Sequence, residues 1–330
     1  MMKVPAFRST RFMRRLMALF LAMGFQAYAG PAFSFPDKPV RIIVGFPAGG
    51  SSDLSARIVA EYLSGKWNVP VIVENRVGAG GTIAAAHVAS SPPDGHTLLL
   101  IGPGTHAVSA ATYTGLPYDA VKSFAPISQI GWGPYFILVN SDSELRTMRD
   151  LVSLAKTAPG RVSFASTGKG SGAHYMGETL AQVTGTKLLH VPYNGASPAT
   201  LAVMGGQVTI AISDMSAAAN TRSGKLRALA ATTPSRSPLF PDIPTLMEQG
   251  VPASYTVSVG LVAAAGTPEK VIGQIHGAVS EALAAASVRQ RLEALGFEAK
   301  ANTPAEFAAS IAGDVRRFGA FVEQAGLKQP

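Results

Sequence analysis

The chain has 330 residues, of which 47% are hydrophobic and 15% charged, a composition typical of a globular protein and not of a disordered one. The formal net charge of +8 falls to +3 once the five basic residues before residue 16 are set aside. No dense run of Lys and Arg interleaved with aromatic residues follows them, so nucleic-acid binding is not expected. The absence of Cys excludes disulfides, a lipid-modified Cys and thiolate metal ligands.

Residues 1–29 are predicted to be a signal peptide. Basic residues without an acidic one precede an apolar run at 16–23, and Ala27 and Ala29 fit the small-residue cleavage pattern. The mature chain is therefore expected to begin at Gly30, with cleavage after Ser34 as the alternative. A membrane anchor is the competing interpretation, but the apolar run is well short of the roughly 20 residues that a spanning helix needs. We expect a periplasmic protein that is soluble after cleavage.

From residue 40 onward, short β-branched segments alternate with amphipathic stretches of helical length, which is the pattern of parallel sheets covered by helices. Strands are predicted at 40–45, 71–75, 97–101, 163–165, 189–191, 209–213 and 228–232. Helices are predicted at 53–63, 82–89, 172–184, 197–204 and 217–223. Two further apolar helical faces, at 272–283 and 307–322, are expected to dock near the C-terminus.

The roughly 300 residues after the leader exceed the size at which single cores stop growing, so two lobes are expected. Extended segments at 135–140 and 257–264 are the best candidates for passing between the lobes, which would leave a hinge of two strands. The predicted division assigns 30–138 and 259–330 to lobe 1 and 139–258 to lobe 2.

The first Gly-rich turn, residues 46–53, joins the first strand to the first helix. Glycines such as Gly49 let a ligand approach the backbone, and Ser51 and Asp53 are residue types that cap helices. The free N–H groups and the positive dipole end of such a helix suit a carboxylate or a phosphate. A purely structural turn would use the same residues, so both interpretations stay open here.

A second Gly-rich turn, residues 76–82, follows the next strand and contains Gly80 and Thr82. Two helix N-termini would then face one sheet edge, which is where α/β sheets bind ligands. A side chain at Gly80 is expected to impair binding more than folding. The run resembles a dinucleotide-binding fingerprint, but Ile83 replaces its third Gly, so a Rossmann dehydrogenase is not predicted.

A third Gly-rich turn, residues 166–174, opens a helix in the second half and is expected to face the first two turns across a cleft. It contains Ser-x-x-Lys at Ser166 and Lys169, and Ser213 and Asp214 follow, as in penicillin-recognising serine enzymes. Met215 stands where those enzymes have Asn, and Lys-Thr-Gly is missing. A periplasmic serine hydrolase using Ser166 and Lys169 is therefore the alternative to a binding protein.

The six histidines predict no metal site, because no two lie four residues apart and no Cys assists them. His106 and His174 lie beside the Gly-rich turns and are candidates for lining a cleft. Tyr193 is another candidate because it follows a strand and precedes a helix. No cofactor is expected.

Short motifs in order along the chain resemble the Bug family, the periplasmic receptors of tripartite tricarboxylate transporters. The motifs are FPAGG at 46–50 with Asp53, ENR at 74–76, GAGG at 78–81, PDGHTLL at 93–99, LPYD at 116–119, VPY at 191–193, GGQV at 205–208, GKLRALA at 224–230 and PDIPT at 241–245. Residues 101–106 and 213–215 depart from the commoner family wording near the cleft, so the ligand's identity stays open.

The resemblance implies a type II periplasmic-binding-protein fold, in which two α/β lobes joined by a two-strand hinge close on a small carboxylate. Backbone amides, hydroxyls and ordered water would hold a dicarboxylate, an amino acid or an aromatic acid. The partners would be the membrane subunits of a tripartite tricarboxylate transporter, and the receptor would be a monomer without catalytic activity. Together with the candidates above, the predicted ligand-binding residues are Ala48, Gly49, Ser51, Asp53, Gly80, Thr82, His106, Ser166, Thr167, Ser171, His174, Tyr193 and Asp214.

Overall fold

A computed structural model describes residues 35–328 apart from 215–219, 222 and 325. The predicted signal peptide, the predicted start at Gly30 and Ser34 before the alternative cleavage lie outside the described residues. Most of the helix predicted at 217–223 lies outside them as well.

Strands and helices alternate along most of the described chain. The strands are β1 (Val40–Val44), β2 (Val71–Asn75), β3 (Thr97–Ile101), β4 (Phe124–Pro134), β5 (Phe136–Asn140), β6 (Ser163–Ser166), β7 (Leu189–Pro192), β8 (Ile210–Ser213), β9 (Leu226–Ala231), β10 (Thr256–Ala264) and β11 (Glu298–Ala299). The helices are α1 (Ser51–Trp67), α2 (Thr82–Ala89), α3 (Pro103–Thr112), α4 (Met148–Thr157), α5 (Gly172–Thr184), α6 (Ala196–Met204), α7 (Glu269–Ala284), α8 (Ala286–Ala294) and α9 (Pro304–Gln324).

The strands form two sheets, one in each lobe. The first has the order β11-β4-β10-β3-β1-β2, and the second has the order β7-β6-β8-β5-β9. In the first sheet β1 is parallel to β2 and β3, and in the second β6 is parallel to β7 and β8. The turns that follow these parallel strands therefore lie at one edge of each sheet, which is the edge that the sequence predicts for a ligand.

The seven predicted strands and the helices at 53–63, 82–89, 172–184 and 197–204 are confirmed, with shifts of one to four residues at some ends. Helices α3, α4 and α8 were not predicted. In α3, Gly102 and Pro103 indicate a loop, but Pro is well tolerated in the first turn of a helix. In α4, a capping box formed by Thr147 and Asp150 was the overlooked signal.

The chain crosses between the sheets at Tyr135, between β4 and β5, and at Tyr255, before β10. The architecture of two α/β lobes joined by two strand connections is thus confirmed. The lobe boundaries after residues 138 and 258 stay predictions.

Thr232 joins the two crossings. Its hydroxyl accepts a hydrogen bond from the Tyr135 N–H at 2.9 Å and donates one to the Tyr255 C=O at 2.6 Å. Its own N–H donates to the Tyr135 C=O, and its C=O accepts from the Tyr255 N–H. The two tyrosine rings stack with centroids 5.6 Å apart. The crossings are therefore held side by side by one fully buried threonine.

The C-terminal helix α9 contributes to both cores. Phe307 and Ile311 pack with Ile43 and Leu99 in the core of the first lobe. Further along the helix, Phe318, Phe321 and Val322 join the cluster that contains the core of the second lobe. Full burial of one such side chain is worth roughly 1.5–3 kcal/mol, so α9 couples the stability of the two lobes.

Among the described residues, no single helix has both the length and the apolar composition needed to cross a membrane. Helices α7 and α8, which meet at an angle of 75°, meet those criteria only as a pair.

Replacing Thr232 by Val is expected to lower the free energy of unfolding by about 1–3 kcal/mol, because two buried backbone groups lose their hydrogen-bond partner. The measurement is urea unfolding followed by circular dichroism. Thr233→Val is the matched control, since the Thr233 hydroxyl is equally buried but has no hydrogen-bond partner in the part of the chain that the structure describes. Equal losses in the two variants would show that Thr232 does not clamp the crossings.

Candidate functional site

The first two Gly-rich turns lie together at the edge of the first sheet. Asn75, at the end of β2, donates from its side-chain amide to the Phe46 C=O at 3.0 Å and to the Asp53 carboxylate at 2.9 Å. The turn after β1 and the turn after β2 are thereby fixed to each other. Ala48, Gly49 and Gly80 are exposed at this edge.

Asp53 is almost completely buried, with 1% of its surface exposed. Its carboxylate accepts hydrogen bonds of 2.9 Å from the Gly49 N–H, the Arg57 guanidinium and the Asn75 side chain. Burial alone would raise the pKa of Asp53, but these hydrogen bonds outweigh burial and hold the pKa below its ordinary value. The carboxylate is occupied by donors of the protein itself, so it fixes the shape of the first turn.

Three helices at this edge begin without a side-chain cap. The N-cap residues of α1, α2 and α3 are Gly50, Gly81 and Gly102, and none provides a side-chain hydrogen bond. The expected capping by Ser51 or Asp53 is therefore wrong. Because the first N–H groups of a helix have no partner within the helix, those at the start of α1 are left for an external acceptor. At α2 the Thr82 N–H already donates to the Ala79 C=O, and α3 begins with Pro103, which has no N–H, so these two helices offer fewer free donors.

The second turn is packed against α3. The Ser109 hydroxyl donates to the Gly80 C=O at 2.7 Å, and the Thr82 hydroxyl donates to the Ala79 C=O at 3.0 Å. Gly80 has φ +63°, and a Cβ at this position would collide with the Ser109 hydroxyl. A side chain here therefore also costs folding stability, and the expectation that it would impair binding more than folding stays a prediction.

His106 lines a small cavity of about 20 Å³ in the first lobe, on the order of the volume occupied by one water molecule. Its Nε2 lies 3.0 Å from the Ala120 C=O, and burial lowers its pKa, so the neutral ring donates this hydrogen bond. The Tyr118 hydroxyl, on the same cavity, is buried without a hydrogen-bond partner among the described residues. Burial raises the pKa of Tyr118 to about 12. The cavity is thus lined by uncharged groups.

The third turn lies at the corresponding edge of the second sheet. Ser166 ends β6, its C=O accepts from the Tyr193 N–H at 3.1 Å, and Asp214 follows the neighbouring strand β8. Ser171 caps α5 by accepting from the His174 N–H at 3.1 Å. The structure therefore brings together the candidates of the second lobe, which are Ser166, Thr167, Ser171, His174, Tyr193 and Asp214.

The two lobes touch at the third turn. A Cβ on Gly170 would lie 3.2 Å from the Val108 side chain and 3.5 Å from the Thr112 hydroxyl, both in α3. The Thr112 hydroxyl is buried and has no partner among the described residues. The Ser213 hydroxyl, at the end of β8, is likewise buried and unpartnered. These two hydroxyls are candidate ligand donors that the sequence analysis missed.

Ser166 does not pair with Lys169, as a serine hydrolase of the predicted kind would require. Its Oγ lies 2.6 Å from Nε2 of His190, and the Lys169 side chain is exposed. Within the described part of the chain, no group of three His, Asp or Glu side chains is arranged to hold a metal ion.

The family model for the tripartite tricarboxylate transporter family receptor, TctC, matches residues 55–327. The chain belongs to this family. It is 35% identical to protein BugT of Bordetella pertussis over 96% of this chain and 99% of BugT.

Solved structures of receptors of this type have the same fold. Periplasmic binding protein BugD is 30% identical with a TM-score of 0.77, and the match covers 90% of this chain and 100% of BugD. MatC of Rhodopseudomonas palustris, with bound malate, is 31% identical with a TM-score of 0.75, and the match covers 87% of this chain and 100% of MatC. The predicted periplasmic-binding-protein fold and the Bug-family resemblance are thus confirmed. The comparisons support a solute receptor and give the serine hydrolase no support.

Replacing Gly80 by Ala is expected to lower the free energy of unfolding by about 2–5 kcal/mol. This combines about 1–2 kcal/mol for a left-handed backbone with about 1–3 kcal/mol for overpacking against Ser109. Gly115→Ala is the control, because Gly115 has φ +71° but no atom within 4 Å of a Cβ. Chemical denaturation measures both. Equal losses would mean that Ser109 moves aside at no cost.

Proposed function

We propose that this chain is a periplasmic solute-binding receptor that closes on a small carboxylate and delivers it to the membrane subunits of a tripartite tricarboxylate transporter. The single observation that supports the carboxylate most strongly is the set of uncapped helix N-termini at the edge of the first sheet. Each carries a partial positive charge, and α1 in addition has free N–H groups in its first turn, which together stabilise an anion.

The cations of the first two turns support neutral donors as the holders of the anion. Arg57 is paired with Asp53 at 2.9 Å, and Arg76 is paired with Glu74 at 2.7 Å. A carboxylate that approaches the turns would have to compete with these acidic groups for either guanidinium. Main-chain N–H groups of exposed Gly-rich turns need no such exchange, so we infer that they hold the ligand.

Within this proposal, the predicted site residues have two roles. Ala48, Ser51 and Gly80 contact the ligand through the backbone or a hydroxyl, as do Thr167 and Tyr193 from the second lobe. Gly49 shapes the first turn, because its N–H is already held by Asp53. Asp53, Thr82 and Ser171 position the turns, because their side-chain oxygens already have partners in the protein.

The class of ligand is supported by the malate bound to MatC. We propose that the ligand of this chain is a C4 to C6 dicarboxylate. An amino acid and an aromatic acid are the alternatives among small carboxylates. The hydroxyls of Thr112 and Ser213, which have no partner among the described residues, are proposed to bind the part of the ligand beyond the first carboxylate.

We propose that the protein catalyses no reaction and acts as a monomer. Ser166 and His190 have the separation of a nucleophile and its base, but burial, as the largest effect, lowers the pKa of His190 to about 4. A general base is most effective with a pKa near the working pH, so this histidine is a weak base at neutral pH.

The experiment is a thermal-shift comparison of malate with its diamide. At about 100 times its dissociation constant, a ligand adds roughly 2.7 kcal/mol of stability. This corresponds to several degrees, at roughly 2–4 °C per kcal/mol for a protein of this size. Malate should raise the melting temperature, and the diamide should not. Equal shifts would contradict recognition of an anion.

The protein should be taken from the periplasmic fraction, where an N-terminus at Gly30 is expected and an intact Met1 would contradict export.

Ser51→Pro makes the same experiment specific for a backbone N–H. Proline is accepted at the first position of a helix, and Gly50 already has the extended conformation that precedes proline. The variant should fold but lose most of the malate shift, whereas Ser51→Ala, which removes only the hydroxyl, should lose less. Ala286→Pro, at the first position of α8 after an extended Ala285, is the matched control. A full malate shift in Ser51→Pro would place the anion elsewhere.

A further inference from the structure

Two histidine rings stack at the third Gly-rich turn. The centroids of His174, in the first turn of α5, and His190, in β7, are 3.8 Å apart, and the planes meet at 11°. Phe164 stacks on His190 at 4.8 Å, and Phe321 packs edge-on against His174 at 5.6 Å. Aromatic neighbours thus hold the pair on both sides.

Each ring makes a hydrogen bond to the turn. Nδ1 of His174 accepts from the Gly170 N–H at 3.0 Å, so the proton of this neutral ring is on Nε2, which lies 3.6 Å from the Glu178 carboxylate. Nε2 of His190 lies 2.6 Å from the Ser166 Oγ, which itself accepts from the Gly168 N–H at 3.2 Å. The one proton of the Ser166 hydroxyl can be donated either to Nε2 of a neutral His190 or to the Gly168 C=O at 3.1 Å.

We propose that His174 and His190 are positioning residues that hold the third turn in its ligand-binding form while both rings are neutral, and that protonation releases the turn. The effect on ligand binding rests on the function proposed above. The effect on the turn itself does not.

Protonation would break the bonds in a specific way. A protonated His174 cannot accept from the Gly170 N–H. A protonated His190 can only donate, so the Ser166 hydroxyl must turn to its other acceptor, the Gly168 C=O at 3.1 Å. Two charged rings at 3.8 Å would also repel each other.

The surroundings of His190 oppose its protonation. Burial is the largest effect and, together with the repulsion that a protonated His174 would exert, lowers its pKa to about 4; Glu178 acts in the opposite direction, and Lys169 lowers the pKa slightly further. The unfolded chain takes up this proton near the ordinary pKa of 6.5. Between these two values the unfolded state binds more protons, so folding stability falls as the pH falls from 6.5 towards 4.

The decisive variant is His190→Gln, whose side chain can still hydrogen-bond the Ser166 hydroxyl but does not titrate. As the pH falls from 7 to 5, the melting temperature of the wild type should fall more steeply than that of His190→Gln. His276→Gln is the control, because His276 also hydrogen-bonds a protein oxygen, the Asn302 C=O at 3.0 Å, but lies in α7. It should follow the wild type. Parallel curves for the wild type and His190→Gln would overturn the proposal.

The state of the turn is read from the backbone amide resonances of Gly168 and Gly170. In the wild type they should shift with a midpoint near pH 4, over the range in which near-ultraviolet circular dichroism shows folded protein. The shift should be at least threefold smaller in His190→Gln. Equal shifts in both proteins would also overturn the proposal.

Binding is tested with malate at pH 7 by calorimetry. His190→Phe keeps a ring for stacking but loses the bond to Ser166, so its dissociation constant should rise about tenfold, the equivalent of one hydrogen bond. His190→Gln should stay within about threefold of the wild type. Unchanged affinity in His190→Phe would rule out a positioning role. If the wild type does not bind malate, the proposed ligand class is wrong, and the melting and resonance data still decide the role of the pair.

Discussion

The buried carboxylate of Asp53 is the interaction on which the proposed anion site depends. It joins the Gly49 amide in the first turn to Arg57 in α1 and to Asn75 at the end of β2. A negative group that fixes the turns from inside also neutralises the adjacent guanidinium. The anion is then bound by main-chain N–H groups. Their direction is already fixed by the fold, so binding costs little free energy of reorganisation. Such a site can hold a carboxylate and still release it.

Release also requires the lobes to separate, and the structure indicates where they bend. The two crossings meet at Thr232, while Gly170 contacts α3 on the other side of the cleft. Opening would break the contacts of Gly170 but leave the hydrogen bonds of Thr232 intact. Helix α9 packs in both cores, so opening must also move it relative to one of the two lobes.

Much of this fold could be predicted from local patterns. β-Branched runs bounded by glycine identify β1 to β3, and the Gly-rich turns identify the ends of the strands where ligands bind. The roles of individual side chains could not be predicted. Asp53 meets Asn75 across 22 residues, and Ser166 meets His190 across 24. Such pairs depend on the register of neighbouring strands, which no local pattern contains. The clash at Gly80 could not be predicted either. Its partner Ser109 lies in α3, and Gly102 and Pro103 at the start of that helix are residue types that usually indicate a loop.

The most direct test of the account is a crystal structure of the protein grown with malate. If helix N-termini hold the ligand, one malate carboxylate lies at the start of α1 and α2, with its oxygens about 2.7–3.2 Å from main-chain nitrogens. The Asp53 carboxylate should keep its three protein partners. A malate carboxylate paired instead with the guanidinium of Arg57 or Arg76, or bound outside the cleft, would contradict the central claim that helix N-termini hold the ligand.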